Sequence, residues 1–223
     1  NKFSQKEKLP LILLMMGGDD ILLICIPEFA YPFLKYFFYQ ESEITFSAGM
    51  LFFKHNYPFL HAHNITESLL SSAKIKAREY EHLTSSIDWH ILYSSKPEPI
   101  EKIRQSDYFL SYDTEGKTNI EILSQKPYNI QEALKVFENA EYIVKKLSQD
   151  SEAEKIGRNK YKLLRSSIYK GHQHQAHLID LFNLKDINWL TYYKTENSQT
   201  EIYTTQMLDV IELIDLFPKY SDR

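Results

Sequence analysis

The residues best suited to chemistry stand together in one turn, where two glycines are followed by two aspartates, Gly17-Gly18-Asp19-Asp20. Consecutive glycines let backbone approach a ligand closely, because no Cβ atom intervenes. Neighbouring carboxylates offer hard oxygen ligands, which suit Mg²⁺ held jointly with waters and phosphate oxygens. Two such metals can align the attacking and leaving groups of a phosphoryl transfer. The turn therefore predicts a divalent-metal site for phosphate chemistry, with Asp19 and Asp20 as its metal-binding and catalytic residues.

The same residue types are common in plain turns, so the flanking elements decide between the two interpretations. Residues 9–16 and 21–26 are apolar at nearly every position, and each run is short for a helix. Such runs fit strands that are covered on at least one face. The glycines and aspartates between them fit a tight hairpin connection. We therefore predict a strand, the Gly-Gly-Asp-Asp turn and a second strand.

Elements of alternating type follow this hairpin. Aromatic residues predict a short helix over residues 29–39, and apolar residues then alternate over 44–53 as in a strand with one buried face. From residue 58 the period becomes that of an amphipathic helix, and residues 87–93 predict a further strand. The order strand, strand, helix, strand, helix, strand predicts an α+β fold with helices packed on a sheet.

The character of the chain changes after residue 95, where residues 96–99 predict a linker. Residues 107–113 and 119–125 are predicted to pair as a more exposed hairpin. Amphipathic helices are predicted beyond it, with apolar stripes over residues 130–147, 161–168 and 207–217. The polar residues 194–201 predict a loop. We therefore expect two domains, residues 1–95 and residues 96–223.

Composition bounds the class of protein. A net charge of -4 argues against non-specific nucleic-acid binding by the whole surface. The lone Cys25 lies in an apolar run, so we expect a small buried side chain and a reducing compartment. The apolar residues 9–26 are interrupted by two carboxylates, which would be costly inside a bilayer. We expect a cytoplasmic protein that does not enter a membrane.

The ordered motifs resemble one family. The run Gly17-Gly18-Asp19-Asp20-Ile21-Leu22 is similar to the active hairpin in the palm domain of the large polymerase-like subunit of type III CRISPR complexes and its stand-alone relatives. Further segments resemble that family in the same order, namely Phe46-Ser47-Ala48-Gly49-Met50, Lys54-His55-Asn56-Tyr57-Pro58-Phe59, Leu69-Leu70-Ser71-Ser72-Ala73-Lys74 and Ser86-Ile87-Asp88-Trp89-His90. The resemblance covers roughly residues 9–95, and residues 159–165 resemble the helical part that follows the palm in stand-alone relatives.

The resemblance implies a palm-type, ferredoxin-like antiparallel sheet with helices on one face, followed by a mainly helical C-terminal region. It implies a metal-dependent nucleotidyltransferase or cyclase that uses Mg²⁺ or Mn²⁺ and a nucleoside triphosphate, ATP above all, in antiviral defence. Asp19 is then the main metal ligand, Asp20 the second, and Lys74 a phosphate contact. The implied nucleotide-binding residues are completed by Gly17, Gly18, Ser47 and Gly49. Protein partners of a defence complex and a homodimer are further expectations.

One part of the family pattern is not visible. The family's palm begins with another strand and helix, and that strand supplies a further metal-binding carboxylate, whereas only eight residues precede residue 9. Either this chain belongs to a longer protein, or a partner supplies the strand, or the palm is catalytically degenerate. The last case defines the alternative function, a nucleotide-binding or scaffold subunit. Asp88 and Glu28, the other possible ligands, are expected to be surface or strand-end residues.

Two other groups of residues are candidates for binding. His174 and His177 share a helix face while His172 does not, and a solvated polar face is expected there rather than a zinc site. The helical part is locally basic and could face RNA, although glutamates interleave with the earlier of its basic residues. These basic residues are Lys145, Lys146, Lys155, Arg158, Lys160, Lys162 and Arg165.

Overall fold

A computed structural model describes residues 10–38, 44–80, 84–93, 98–114, 116–148, 158–185, 187–196, 200–214 and 216–217. The chain divides into two compact units, Asn1–Ser42 and Glu43–Arg223. Helices and strands alternate through both units, so the predicted α+β class is confirmed. The order of elements up to residue 91 is also the one expected from the sequence.

The first unit consists of a hairpin and one helix. Its elements are β1 (Leu11–Gly17), β2 (Asp20–Cys25) and α1 (Pro27–Phe38). The two strands pair antiparallel from Leu11 opposite Cys25 to Gly17 opposite Asp20, with a bulge near Leu14. The helix begins at Pro27, because a proline in the first turn sacrifices no intrahelical hydrogen bond. The predicted hairpin and aromatic helix are therefore confirmed.

The second unit contains two sheets and six α-helices within its described residues. Its first elements are β3 (Ser47–Phe52), α2 (Phe59–Arg78), β4 (Ser86–Ile91), α3 (Ile100–Asp107), β5 (Phe109–Thr114) and β6 (Lys117–Ile122). The later ones are β7 (Tyr128–Asn129), α4 (Ile130–Ser148), α5 (Arg158–Ser167), α6 (His172–Leu181), β8 (Tyr193–Glu196), β9 (Thr200–Thr204) and α7 (Met207–Ile214). The sheets have the strand orders β3-β4-β7 and β5-β6-β9-β8.

The sheet β3-β4-β7 differs in detail from the expected antiparallel sheet with helices on one face. Strands β3 and β4 are parallel, because the 20-residue helix α2 carries the chain back to the starting edge. All six residues of β4 are buried, so both of its faces are covered. On one face Ser86 donates a hydrogen bond to the Ala73 carbonyl of α2, and on the other Trp89 packs on Phe137 of α4.

The second sheet contains the predicted hairpin and two strands that were not expected. Strands β5 and β6 pair antiparallel, which confirms the hairpin. The prediction of a loop over residues 194–201 is wrong at both ends, where β8 and β9 pair antiparallel and β9 also pairs parallel with β6. The polar composition misled the prediction, because Lys117 and Lys194 both form ion pairs with Glu201 along this partly exposed part of the sheet.

The three predicted amphipathic helices are confirmed as α4, α5 and α7. Every residue of α7 is buried, which makes this helix a central part of the core. The division into domains 1–95 and 96–223 stays a prediction, and one strand pair, β4 with β7, joins residues on either side of it. Among the described residues, no helix combines the length and apolar character needed to cross a bilayer.

Candidate metal and nucleotide site

The Gly-Gly-Asp-Asp turn closes the first hairpin with a loop of two residues, Gly18 and Asp19. Gly17 and Asp20 form the last pair of the strands. Gly18 has a positive φ of 62°, whereas Asp19 is not among the residues with positive φ. A positive φ at the first loop position only is the pattern of a type II′ turn, which matches the twist of the strands. Gly18 is therefore required by backbone conformation, since other residues rarely adopt this region.

Space is open around both glycines. A Cβ atom added at Gly17 or at Gly18 would meet no described atom within 4 Å. No packing contact thus explains Gly17, in contrast to a glycine that lies against a neighbouring element. The absence of a side chain leaves backbone accessible at the tip of the hairpin. Such an opening is what close approach of a ligand requires.

The two carboxylates lie beside this opening. Asp19 and Asp20 are both exposed, and neither forms an ion pair or side-chain hydrogen bond with any described residue. The described residues contain no group of three or more His, Cys, Asp or Glu side chains arranged to hold a metal ion. Mg²⁺ is commonly bound by one or two carboxylates, with substrate phosphates and waters completing its shell. The donor set at the turn fits that kind of site.

The strands that carry the turn are apolar and exposed. The large side chains of Ile12 and Met16 are 63% and 71% exposed, and Ile21 is 49% exposed. Cys25, near the base of the hairpin, is half-buried, and this burial raises the pKa of its thiol. A raised pKa makes the thiol less reactive, but the side chain is only half-buried, whereas the sequence predicted a buried one.

The other predicted nucleotide-binding residues belong to the second unit, where β3 packs on α2. The Ser47 hydroxyl lies 3.3 Å from that of Ser86, and Ser86 donates a 2.6 Å hydrogen bond to the Ala73 carbonyl. Lys74 is the next residue of α2. Its side chain is exposed and forms no ion pair with any residue described in this unit. The structure thus brings Ser47 close to the helical turn that carries Lys74.

Gly49 has a packing role at this contact. A Cβ atom at this position would lie 2.5 Å from the Thr66 carbonyl oxygen and 2.9 Å from Cα of Leu70, with the Leu70 amide closer still. These are backbone atoms of α2, which cannot turn aside as a flexible side chain could. The helix therefore lies directly on the strand at Gly49. Close helix–strand packing accounts for this glycine without a ligand.

Asp88 is a buried residue inside β4, not the surface or strand-end residue that was expected. Its carboxylate is fully buried and accepts two hydrogen bonds from Arg104 of α3, at 2.6 and 2.8 Å. This paired geometry joins a planar guanidinium to a carboxylate. Asp88 is therefore occupied as a structural ion-pair partner. Glu28 lies in the first turn of α1 and is exposed, as expected.

A buried charged cluster around Lys126 was missed by the sequence predictions. The Lys126 amine is fully buried, 3.4 Å from the Asp209 carboxylate and 3.2 Å from that of Glu212. Asp209 also accepts hydrogen bonds of 2.6 Å from the hydroxyls of Ser124 and Tyr128. A signal was present in the sequence, because two acids inside the otherwise apolar α7 require buried partners.

His90 borders this cluster and is held uncharged. Its Nδ1 atom lies 2.8 Å from the Tyr108 hydroxyl, which also accepts a hydrogen bond from Lys126. Burial lowers the pKa of His90 to about 3, with smaller contributions from the positive charges of Lys126 and Arg104. The side chain is therefore neutral at physiological pH and serves as a core residue.

The three histidines of α6 occupy different environments. His172 donates its backbone N–H to the buried carboxylate of Glu121 at 2.8 Å, and its Nδ1 atom lies 2.8 Å from the same oxygen. His172 also stacks on Tyr203, with ring centroids 3.7 Å apart. His174 is half-buried and His177 is exposed. His172 thus joins α6 to the second sheet, a contact that sequence spacing alone did not indicate.

The basic residues of the helical part make several local contacts. Lys145 pairs with Glu141 at 3.1 Å, and the Arg165 guanidinium lies 3.8 Å from the centroid of the Tyr93 ring. Lys160 lies over the ring of Phe182. Lys155 and the side chains of Lys146 and Arg158 lie outside the described residues. These contacts account for part of the basic character without RNA.

Comparisons of the chain with protein-family models, with curated proteins and with solved structures gave no match in any of the three.

Proposed function

We propose that this chain contains a palm-type domain for metal-dependent nucleotidyl transfer or cyclisation, with ATP as the first candidate substrate. The observation that carries the proposal is the hairpin tip, where open glycine backbone and two exposed, adjacent carboxylates occur together. The order of elements that follows the hairpin is the one that the family resemblance requires. A cytoplasmic role in CRISPR-like antiviral defence, with other defence proteins as partners, belongs to the same proposal.

Each residue of the turn has a distinct role in this proposal. Asp19 and Asp20 bind Mg²⁺ or Mn²⁺, and the backbone at Gly17 and Gly18 lies against the nucleotide. The bound metal would neutralise charge on the phosphates during the transfer. Lys74 contacts a phosphate, a role supported by its exposed side chain with no ion pair to any described residue of its unit. Ser47, which lies near that helical turn, is a further nucleotide-binding residue in this proposal.

A second candidate function is a catalytically degenerate palm that acts as a nucleotide-binding or scaffold subunit. The exposed apolar strands of the hairpin favour this alternative, because large exposed apolar surfaces commonly mark interaction sites. Only two carboxylates are available at the turn, which also fits binding without turnover.

Nucleotide titrations of the protein and of an Asp19→Asn/Asp20→Asn variant test the proposal. ATP and GTP are titrated with Mn²⁺ or Mg²⁺, binding is followed by calorimetry, and products are separated by chromatography. An Asp107→Asn/Asp113→Asn variant removes two other exposed charges and serves as the control. Thermal unfolding should be nearly unchanged in the turn variant, because neither carboxylate has a described partner.

We expect metal-dependent binding and product formation in the wild type and in the control, and the loss of both in the turn variant. Binding without product would favour the degenerate palm. Failure of the folded wild type to bind either nucleotide with either metal would refute nucleotidyl transfer and nucleotide binding alike, and would leave only the scaffold role. Equal loss in the turn variant and in the control would show that general charge, not the turn, governs binding.

A further inference from the structure

A cavity of about 260 Å³ lies between α2 and the start of α3, within the second unit. One wall is formed by Tyr57, two residues before α2, and by a stripe at helical spacing along α2, and the other by the first residues of α3 and the two residues before it. Its described lining residues include Tyr57, Ile65, Glu98, Ile100 and Glu101. None of the proposed nucleotide-binding residues is among them.

The cavity wall carries an unused polar group. Tyr57 is only 7% exposed, yet its hydroxyl has no hydrogen-bond partner among the described residues. A buried hydroxyl without a partner is unfavourable, and a ligand that hydrogen-bonds to it recovers that loss. The Ile65 and Ile100 side chains are also buried and give the cavity an apolar part. The cavity therefore combines hydrogen-bonding groups with a hydrocarbon surface.

The charge of the cavity selects the class of ligand. Two carboxylates, Glu98 and Glu101, line it, and none of the described residues of its lining is a lysine or arginine. The Glu98 carboxylate lies 3.6 Å from the Lys102 amine, but that lysine is 70% exposed and outside the lining. An anion is disfavoured beside two carboxylates, and a strongly hydrated metal ion would gain nothing from the apolar walls of Ile65 and Ile100. An organic cation remains the best match.

We propose that this cavity binds a small molecule carrying an alkylammonium group, such as a polyamine. The ammonium group lies between the Glu98 and Glu101 carboxylates and donates a hydrogen bond to the Tyr57 hydroxyl oxygen. The methylene chain packs against Ile65 and Ile100. The cavity shares no residue with the proposed metal site at the hairpin, and polyamine binding is measured without nucleotide or metal.

Calorimetric titration of the whole chain with spermidine tests the proposal. We expect saturable binding of one equivalent, and no heat of binding with 1-butanol, which has a similar chain but no charge. A Glu98→Gln/Glu101→Gln variant should bind spermidine roughly tenfold more weakly or worse, because two partly exposed charge pairs are removed. A Glu67→Gln/Glu132→Gln variant changes the net charge equally at exposed positions outside the cavity and should bind as the wild type does.

The hydroxyl contact has its own variant. Tyr57→Phe keeps the ring that packs in the core and removes the oxygen, so it should fold and bind about threefold more weakly or worse. Absence of saturable binding to folded wild type would overturn the proposal. Equal weakening in the two double-glutamine variants would also overturn it, since binding would then follow overall charge and not this cavity.

Discussion

Replacement of Gly49 by alanine decides whether this glycine serves packing. The added Cβ would lie 2.5 Å from the Thr66 carbonyl oxygen, whereas ordinary contact begins at 3.4 Å. The strand and the helix must therefore separate locally by about 1 Å. The clash cannot be relieved by rotating a side chain, because the atoms that the Cβ would meet belong to the backbone of α2. Overpacking commonly costs 1–3 kcal/mol, and a clash between backbones belongs at the upper end. We expect Gly49→Ala to lower the free energy of unfolding by about 3 kcal/mol or more.

Urea unfolding followed by circular dichroism measures this loss, and the melting temperature should fall by roughly 6–12 °C for a domain of this size. Gly17→Ala is the matched control, because a Cβ there meets no described atom within 4 Å and its φ is not positive. The control should change stability by less than about 1 kcal/mol. A Gly49→Ala protein within 1 kcal/mol of wild type would refute the packing explanation and restore a ligand-based one.

The remaining predictions concern buried charges. Because the pKa of His90 is lowered to about 3, the unfolded state takes up a proton at higher pH than the folded state does. The contribution of His90 to the free energy of unfolding is present above pH 6.5 and is lost as the pH drops towards 3. At pH 5 this residue alone lowers the free energy of unfolding by about 2 kcal/mol relative to pH 7. Lys126→Met should lower the free energy of unfolding by about 3–5 kcal/mol, because Asp209 and Glu212 lose their buried cation. Arg104→Lys should cost about 1–3 kcal/mol, because a lysine cannot donate both hydrogen bonds to Asp88 in one plane.

Each of these predictions has a matched control. A His90→Phe variant should flatten the loss of stability between pH 7 and pH 5, and an unchanged slope would remove His90 as its cause. Lys126→Met combined with Glu212→Gln should be less destabilised than the sum of the single changes, since both alter one contact. Full additivity would argue against direct coupling. For Arg104, an equal loss in Lys102→Ala, a surface position, would discount the paired hydrogen bonds.

The elements near the turn were predictable because local patterns determine them. Two short apolar runs around a Gly-Gly pair specify a hairpin, and the change from alternating to helical period specifies α2. The α+β class followed from that order. The strand directions could not be predicted from these local patterns. Whether two strands run parallel or antiparallel depends on the edge of the sheet to which the chain returns after α2. A palm-like sheet was expected to be antiparallel, whereas β3 and β4 are parallel.

The misjudged residues are those whose partners lie far away along the chain or whose context is polar. Asp88 was expected at the surface because the sequence gives no sign of its partner, Arg104, which lies 16 residues later. Strands β8 and β9 were taken for a loop because polar side chains dominate a partly exposed edge of a sheet. For the candidate site, the sequence indicated the turn and its carboxylates. It could not separate the packing role of Gly49 from a binding role.

The buried cluster around Lys126 is made from two segments that lie far apart in the sequence. It cannot form during synthesis until the second segment has left the ribosome. Ser124 and its partner Asp209 are separated by 85 residues. At 5–20 residues per second, a ribosome needs roughly 4–17 s to make the intervening segment. Throughout that interval Lys126 lacks both acids that neutralise it, and the core face of α4 that packs on α7 is uncovered. The nascent second unit is therefore a natural client for chaperones, and slowed translation between these residues should increase its aggregation.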